Sequence, residues 1–147
     1  MTDLAPAGVA ETARMIAEGE VSSRTVVEAA LARIGERDGE LNAFSAVLAE
    51  EAIAEADARD AAGTPIGPLH GVPVAIKEEI DVAGSVTTFG GDANSTPAAH
   101  DAEVVVRLRA AGAVVIGKTT MAWSRSAWAA TAAARSGSRA RAAGSSA

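Results

Sequence analysis

The chain has 147 residues, of which 48% are apolar and 22% charged, with a formal net charge of −6 and no cysteine. That composition excludes global disorder, disulfides and thiol chemistry, and a chain of this length is expected to build one core. The charge is uneven: 122–147 carries four arginines and no acid, so it holds +4 and the remainder −10. An acidic body argues against nucleic acid as a partner of the main domain. No run of 18 apolar residues is present, so no membrane partner is expected. The opening "MTDLAPAGVAETARM" has no basic segment followed by an apolar one, so a secretory signal is not expected and a cytoplasmic location is the default reading. His70 and His100 stand far apart with no partner at ligand spacing, so no metal is expected.

The first predicted helix, "GVAETARMIAEGE", sets Val9, Ala13, Ile16 and Ala17 on one face, with Gly19 as its stop. Ser22 or Ser23 then offers an N-cap for "RTVVEAALARIGER", in which Val27, Ala30, Leu31 and Ile34 share a face and Gly35 reads as the end. "LNAFSAV" reads as a short strand or an extended connection. "LAEEAIAEADARDAA" reads as an acidic, alanine-rich helix closed by Gly63 and Pro65, and "GTPIGPLHG" as a loop.

"VPVAI" is a continuous apolar run of strand length, which suits burial on both faces, with Pro73 near its start. Residues 81–99 read as loop. Asp101 is placed to cap "AEVVVRLRAAG", whose Val104, Leu108 and Ala111 share a face beside Val105, and Gly112 suits the residue after the C-cap. "AVVIG" is a second buried strand ending at Lys118. Strand, loop, helix, strand makes a βαβ unit with parallel strands. Lys77 and Lys118 then lie at the same carboxyl edge, where open α/β sheets bind ligands.

From Ala122 onward the pattern fails. The tail holds no Leu, Ile, Val, Phe, Asp or Glu and is read as a disordered basic segment. A sharper reading is out-of-frame translation of a GC-rich gene, to be tested by sequencing past the Met121 codon in all three frames. The expected organisation is 1–121 as one domain and 122–147 as a low-complexity tail.

"GPLHGVPVAIKEEIDVAGSVTTFGG" followed by "DAEVVVRLRAAGAVVIGKTTM" resembles the N-terminal part of the amidase signature family. "GEVSSRTVVEAALARI" and "LNAFSAVLAEEAIAEADARD" are similar to that family's opening helices, so the resemblance runs from about Val9 to Met121. It implies an α/β fold in which helices precede a βαβ unit within a mixed sheet flanked by helices. It also implies hydrolysis of carboxylic amides through a Ser–cis-Ser–Lys triad without a cofactor, on a small-molecule amide substrate. Homodimerisation is an option for a full-length member.

Lys77 matches the family's catalytic lysine. From the residues alone it is either a solvated strand end or a base. A free lysine, with a pKa of about 10.4, is protonated at neutral pH, and burial beside apolar residues lowers that value. "VPVAI" is expected to supply such surroundings, with Glu78 pointing to the other face. Two glutamates stand where the family often has Asp then Asn, and Thr120 stands where it has asparagine in "GKTNM". Lys118 is read as a structural or site-edge residue, Thr87 and Thr88 as loop packing, and His70 as a loop hydrogen-bonding residue.

The family's "GGSSGG" motif is not matched. "AAGSSA" is similar to its start, but a tail rich in Ala, Gly and Ser produces such matches by chance, so Ser145 receives no role. The resemblance therefore implies a nucleophile beyond residue 147. The chain alone is expected to be inactive, since base, nucleophile and oxyanion donors are needed together. Exposed strand edges and apolar surface predict poor solubility or partial folding. The alternatives are the glutaminase subunit of a tRNA-dependent amidotransferase and a non-catalytic fragment or interaction protein. A nucleotide-binding βαβ unit is disfavoured because no G-x-G-x-x-G turn joins strand to helix.

Overall fold

The structure, a computed structural model, describes residues 8–91 and 94–121. The tail 122–147, with Ser145, lies outside the described residues. The elements in chain order are α1 (Val9–Ala17), α2 (Ser23–Leu41), β1 (Phe44–Val47), α3 (Ala49–Ala61), β2 (Pro73–Lys77), α4 (Glu103–Ala110) and β3 (Val114–Thr119). They form a three-stranded sheet of order β1-β3-β2, in which β1 runs antiparallel and β2 parallel to β3. The expected βαβ unit is β2, α4 and β3.

Local chemistry explains most of the helix ends. Gly19, at φ 73°, closes α1 and donates its N–H to the Ile16 carbonyl at 3.0 Å. Ser22 caps α2, accepting from the Thr25 N–H at 3.1 Å. The Asp60 carboxylate, at the end of α3, accepts from the next two free N–H groups of α2, Ser23 at 2.7 Å and Arg24 at 3.0 Å. A carboxylate at a helix N-terminus also meets the positive end of the helix dipole.

Helix α2 does not stop at Gly35. It continues through Gly35 and Gly39 to Leu41 and ends at Asn42, which is left-handed at φ 49°. A helical glycine costs only about 1 kcal/mol, and Ala30, Leu31 and Ile34 are held against the core on this helix. The end is set instead by Asp38, whose Oδ1 accepts from the Ala43 and Phe44 N–H groups at 2.7 and 3.1 Å.

Two apolar clusters sandwich β3. On one face Val27 of α2 and Ala52 and Ala56 of α3 meet Val114 and Ile116. On the other, Val105 of α4 and Val82 meet Val115 and Ile76. A third cluster joins α1 to the start of β2 through Ile16, Val26 and Val72. β3 is buried on both sides, as its run of apolar residues predicts.

β2 departs from the same prediction: within it only Ile76 is buried, while Ala75 and Lys77 are exposed. The cause is strand order. β2 is an edge strand, and the α2–α3 cluster contains residues of β3 and none of β2.

The pairing of β2 with β3 is interrupted by a bulge. Val74 pairs with Val115, but Ala75 pairs with Gly117, Ile76 with Lys118 and Lys77 with Thr119. Ile116 is the extra residue. Side chains alternate along a strand, so one added residue reverses the facing of everything after it. Lys118 therefore shares the α4 side with Val115 instead of joining Val114 and Ile116.

Asp101 does not cap α4. The cap position is Ala102, with no side-chain hydrogen bond. Asp101, one residue earlier, accepts from the Ala83 N–H at 2.8 Å and from Arg109 Nε at 3.0 Å, tying loop to helix. Gly112 follows the helix at φ 97°, where a Cβ would meet His70 Cα at 2.6 Å, so no other residue fits. Among the described residues no helix is long and apolar enough to cross a membrane.

Candidate active site

Lys77 and Lys118 are the chain's two lysines, and both sit at the carboxyl edge of the parallel β2–β3 pair. The bulge separates them onto opposite faces of the sheet. Their surroundings differ accordingly.

Lys118 is 0% exposed. Its Nζ donates to the Val86 carbonyl at 3.0 Å and to Thr87 Oγ1 at 2.9 Å. Burial pushes its pKa below the ordinary lysine value, and the nearby charges of Asp81 and Glu78 push the other way. Lys77 has a side chain 49% exposed, with Nζ 2.8 Å from Glu79 Oε1. The burial expected for Lys77 thus falls on Lys118. The reason is the edge position of β2, whose α2–α3 side is left exposed at Ala75 and Lys77. An ion pair this exposed contributes about 0–1 kcal/mol.

Glu78 turns away from Lys77, as strand alternation predicts. It is buried, its carboxylate accepts from Thr88 Oγ1, and its N–H donates to the Thr119 carbonyl at 2.9 Å. Thr87 and Thr88 pack in the loop as expected, yet each also carries a polar tie that loop packing alone does not predict. The available signal was a Thr-Thr pair in a glycine-rich loop opposite a strand that ends in lysine. Asn94 Nδ2 donates to the Thr87 carbonyl at 2.8 Å, which fixes the same segment from the other side. His70 is buried in its loop, where Nδ1 accepts from the Ile66 N–H at 3.2 Å, the role expected of it.

Three successive residues, Val86, Thr87 and Thr88, are therefore bonded to the ends of two strands. The first two bond to Lys118 in β3 and the third to Glu78 just after β2. The arrangement holds one lysine inside the protein and presents the other outward at the sheet edge. Among the described residues no group of three His, Asp or Glu side chains could hold a metal ion.

Comparison with known proteins places this geometry. The Amidase family matches residues 25–134. A putative amidase, AmiB2, of Mycobacterium tuberculosis (strain ATCC 25618 / H37Rv) is 50% identical over 123 residues, covering 82% of this chain and 26% of the relative. A glutamyl-tRNA(Gln) amidotransferase subunit of Salinispora arenicola (strain CNS-205) is 46% identical over 126 residues, with the same coverage of 82% and 26%. The native peptide amidase of Stenotrophomonas maltophilia superposes with a TM-score of 0.74 at 37% identity, covering 80% of this chain and 25% of that one. The chain thus spans about a quarter of the length of these relatives. With the family matched over most of its length and the βαβ unit in place, the chain belongs to the amidase family.

Proposed function

We propose that this chain supplies Lys77 as the base of a Ser–cis-Ser–Lys triad that hydrolyses carboxylic amide C–N bonds. The observation that carries the reading is the delivery of Lys77, by a parallel strand, to the carboxyl edge of the sheet in a family of amidases. In the proposed reaction neutral Lys77 takes a proton from a relay serine, which takes one from the nucleophilic serine. The nucleophile forms a bond to the amide carbonyl carbon, the C–N bond breaks, and the amine leaves with a proton returned through the same relay. Water then hydrolyses the acyl-enzyme to the carboxylic acid and free serine. This requires the open side of β2 to be covered and Lys77 to part from Glu79, since a base must be neutral.

The 147-residue chain by itself contains no serine assigned as relay or nucleophile, and we propose that it is inactive alone. Ammonia release from simple carboxamides by the purified chain is the direct assay, and measurable turnover would overturn that part. For the base, residues 8–121 are grafted in place of the matching segment of the S. maltophilia peptide amidase. The graft is expected to hydrolyse its amide substrate, and Lys77→Ala to lower the rate by about 10²–10⁴-fold or more. Undiminished hydrolysis in Lys77→Ala would remove Lys77 from the reaction.

The identity to a glutamyl-tRNA(Gln) amidotransferase supports a second reading, glutamine hydrolysis that feeds ammonia to a partner enzyme. Ammonia release restricted to glutamine would favour it over a general amidase.

A further inference from the structure

Lys118 takes no part in the proposed chemistry, yet it is the most completely buried charged group among the described residues. An ammonium has three N–H donors and no acceptor, and its removal from water is tolerated only where acceptors are waiting. Two are supplied here, and both come from one loop, at Val86 and Thr87. The next residue, Thr88, donates to the buried carboxylate of Glu78. Glu78 directly follows Lys77, and its N–H is fixed to Thr119, one residue after Lys118. The bonds therefore form a closed circuit: Lys118, Thr87, Thr88, Glu78, Thr119 and back to Lys118 along β3.

We propose that Lys118 is a positioning residue for Lys77. Its ammonium pins the Val86–Thr88 segment under the sheet, the segment holds Glu78 inward through Thr88, and alternation along the chain then turns Lys77 outward. Lys118 does not touch substrate in this scheme. The inference deepens the proposed function and rests on Lys77 being its base, but the circuit itself can be tested without any activity.

The chain's having only two lysines makes the test direct. Selective ¹³Cε/¹⁵Nζ lysine labelling of the 147-residue protein gives one signal for each. In the parent protein the Lys118 ammonium is expected to exchange slowly with solvent and to resist acetylation by an amine-reactive ester, while Lys77 exchanges and acetylates freely. Thr87→Val removes one acceptor without touching Lys77. It is expected to raise acetylation of Lys118 about tenfold or more, the scale of one lost hydrogen bond to a charged group, and to shift the Cε signal of Lys77. Thr87→Ser, which keeps the hydroxyl, is expected to restore both. If Thr87→Val does not fold, Thr88→Val with Thr88→Ser as its rescue asks the same of the other half of the circuit.

Acetylation of Lys118 as fast as Lys77 in the parent protein would overturn the proposal. So would a Lys77 signal identical in the parent and the valine variants. Failure of the base assignment is read separately, as unchanged hydrolysis by the Lys77→Ala graft.

Discussion

The two faces of the small sheet are built on different physics. The α2–α3 face is closed by helices whose apolar stripes meet Val114 and Ile116, and its energetics are those of packed methyl groups. The α4 face is only partly closed by a helix. The rest of its cover is the irregular segment between Glu78 and Ala102, whose backbone groups must find partners outside regular ladders. Val82 supplies an apolar plug there, while Lys118, Glu78, Thr87, Thr88 and Asn94 supply the partners. The difference teaches where a local change will be felt: on the first face in global stability, on the second in the order of one loop.

Ile116→Ala should have the largest effect. It opens a cavity under α2 and α3 and is expected to cost about 2–5 kcal/mol, read as a fall in the urea midpoint. Lys118→Met should cost less, about 1–3 kcal/mol, because it leaves the Val86 carbonyl and Thr87 hydroxyl without their donor. Its larger signature should be faster hydrogen exchange confined to residues 85–91. Equal loss of protection across α2 and α3 would break the comparison.

The same lysine should leave a mark on pH dependence. Its folded-state pKa lies below the unfolded value of 10.5. At pH values below the folded pKa both states hold the proton, and the cost of the buried charge is fully present. Between the lowered pKa and 10.5 the unfolded chain binds more protons, so this group makes stability rise with pH in that alkaline window. Urea titrations across the window should show that slope in the parent protein, and Lys118→Met should lack it. The smallest effect belongs to Lys77→Ala, expected to shift stability by no more than about 0.5 kcal/mol. A large loss would mean that Lys77 is a structural residue.

Much of this organisation is legible in the sequence because it is written in local patterns. The Gly19 stop, the Ser22 cap, the apolar face of α2 and the existence of the two strands that flank α4 each depend on residues a few positions apart. So does the placing of both lysines at one edge. The features that escape are set at longer range or by a single added residue. Gly35 reads as a stop until Asp38 is seen gathering the N–H groups of Ala43 and Phe44. "VPVAI" reads as a central strand because composition does not reveal that β2 sits at the sheet's edge. Which lysine is buried follows from that edge and from the bulge, neither of which a residue pattern encodes. Asp101 has the right chemistry for a cap and lies one residue too early to act as one.

The bulge at Ile116 also makes β3 a counting device. Three positions separate Lys118 from Val115, a spacing that simple alternation would turn to opposite faces. The added residue returns both to the α4 side. Were the strand to pair without the bulge at unchanged length, the ammonium would be driven among Val27, Ala52 and Ala56, and Gly117 would lie beneath Thr87. Substitutions along this strand are graded in their cost, but loss of the bulge acts as an all-or-none error of phase. A strand one residue shorter between Val115 and the lysine would instead reach the same face with no bulge at all.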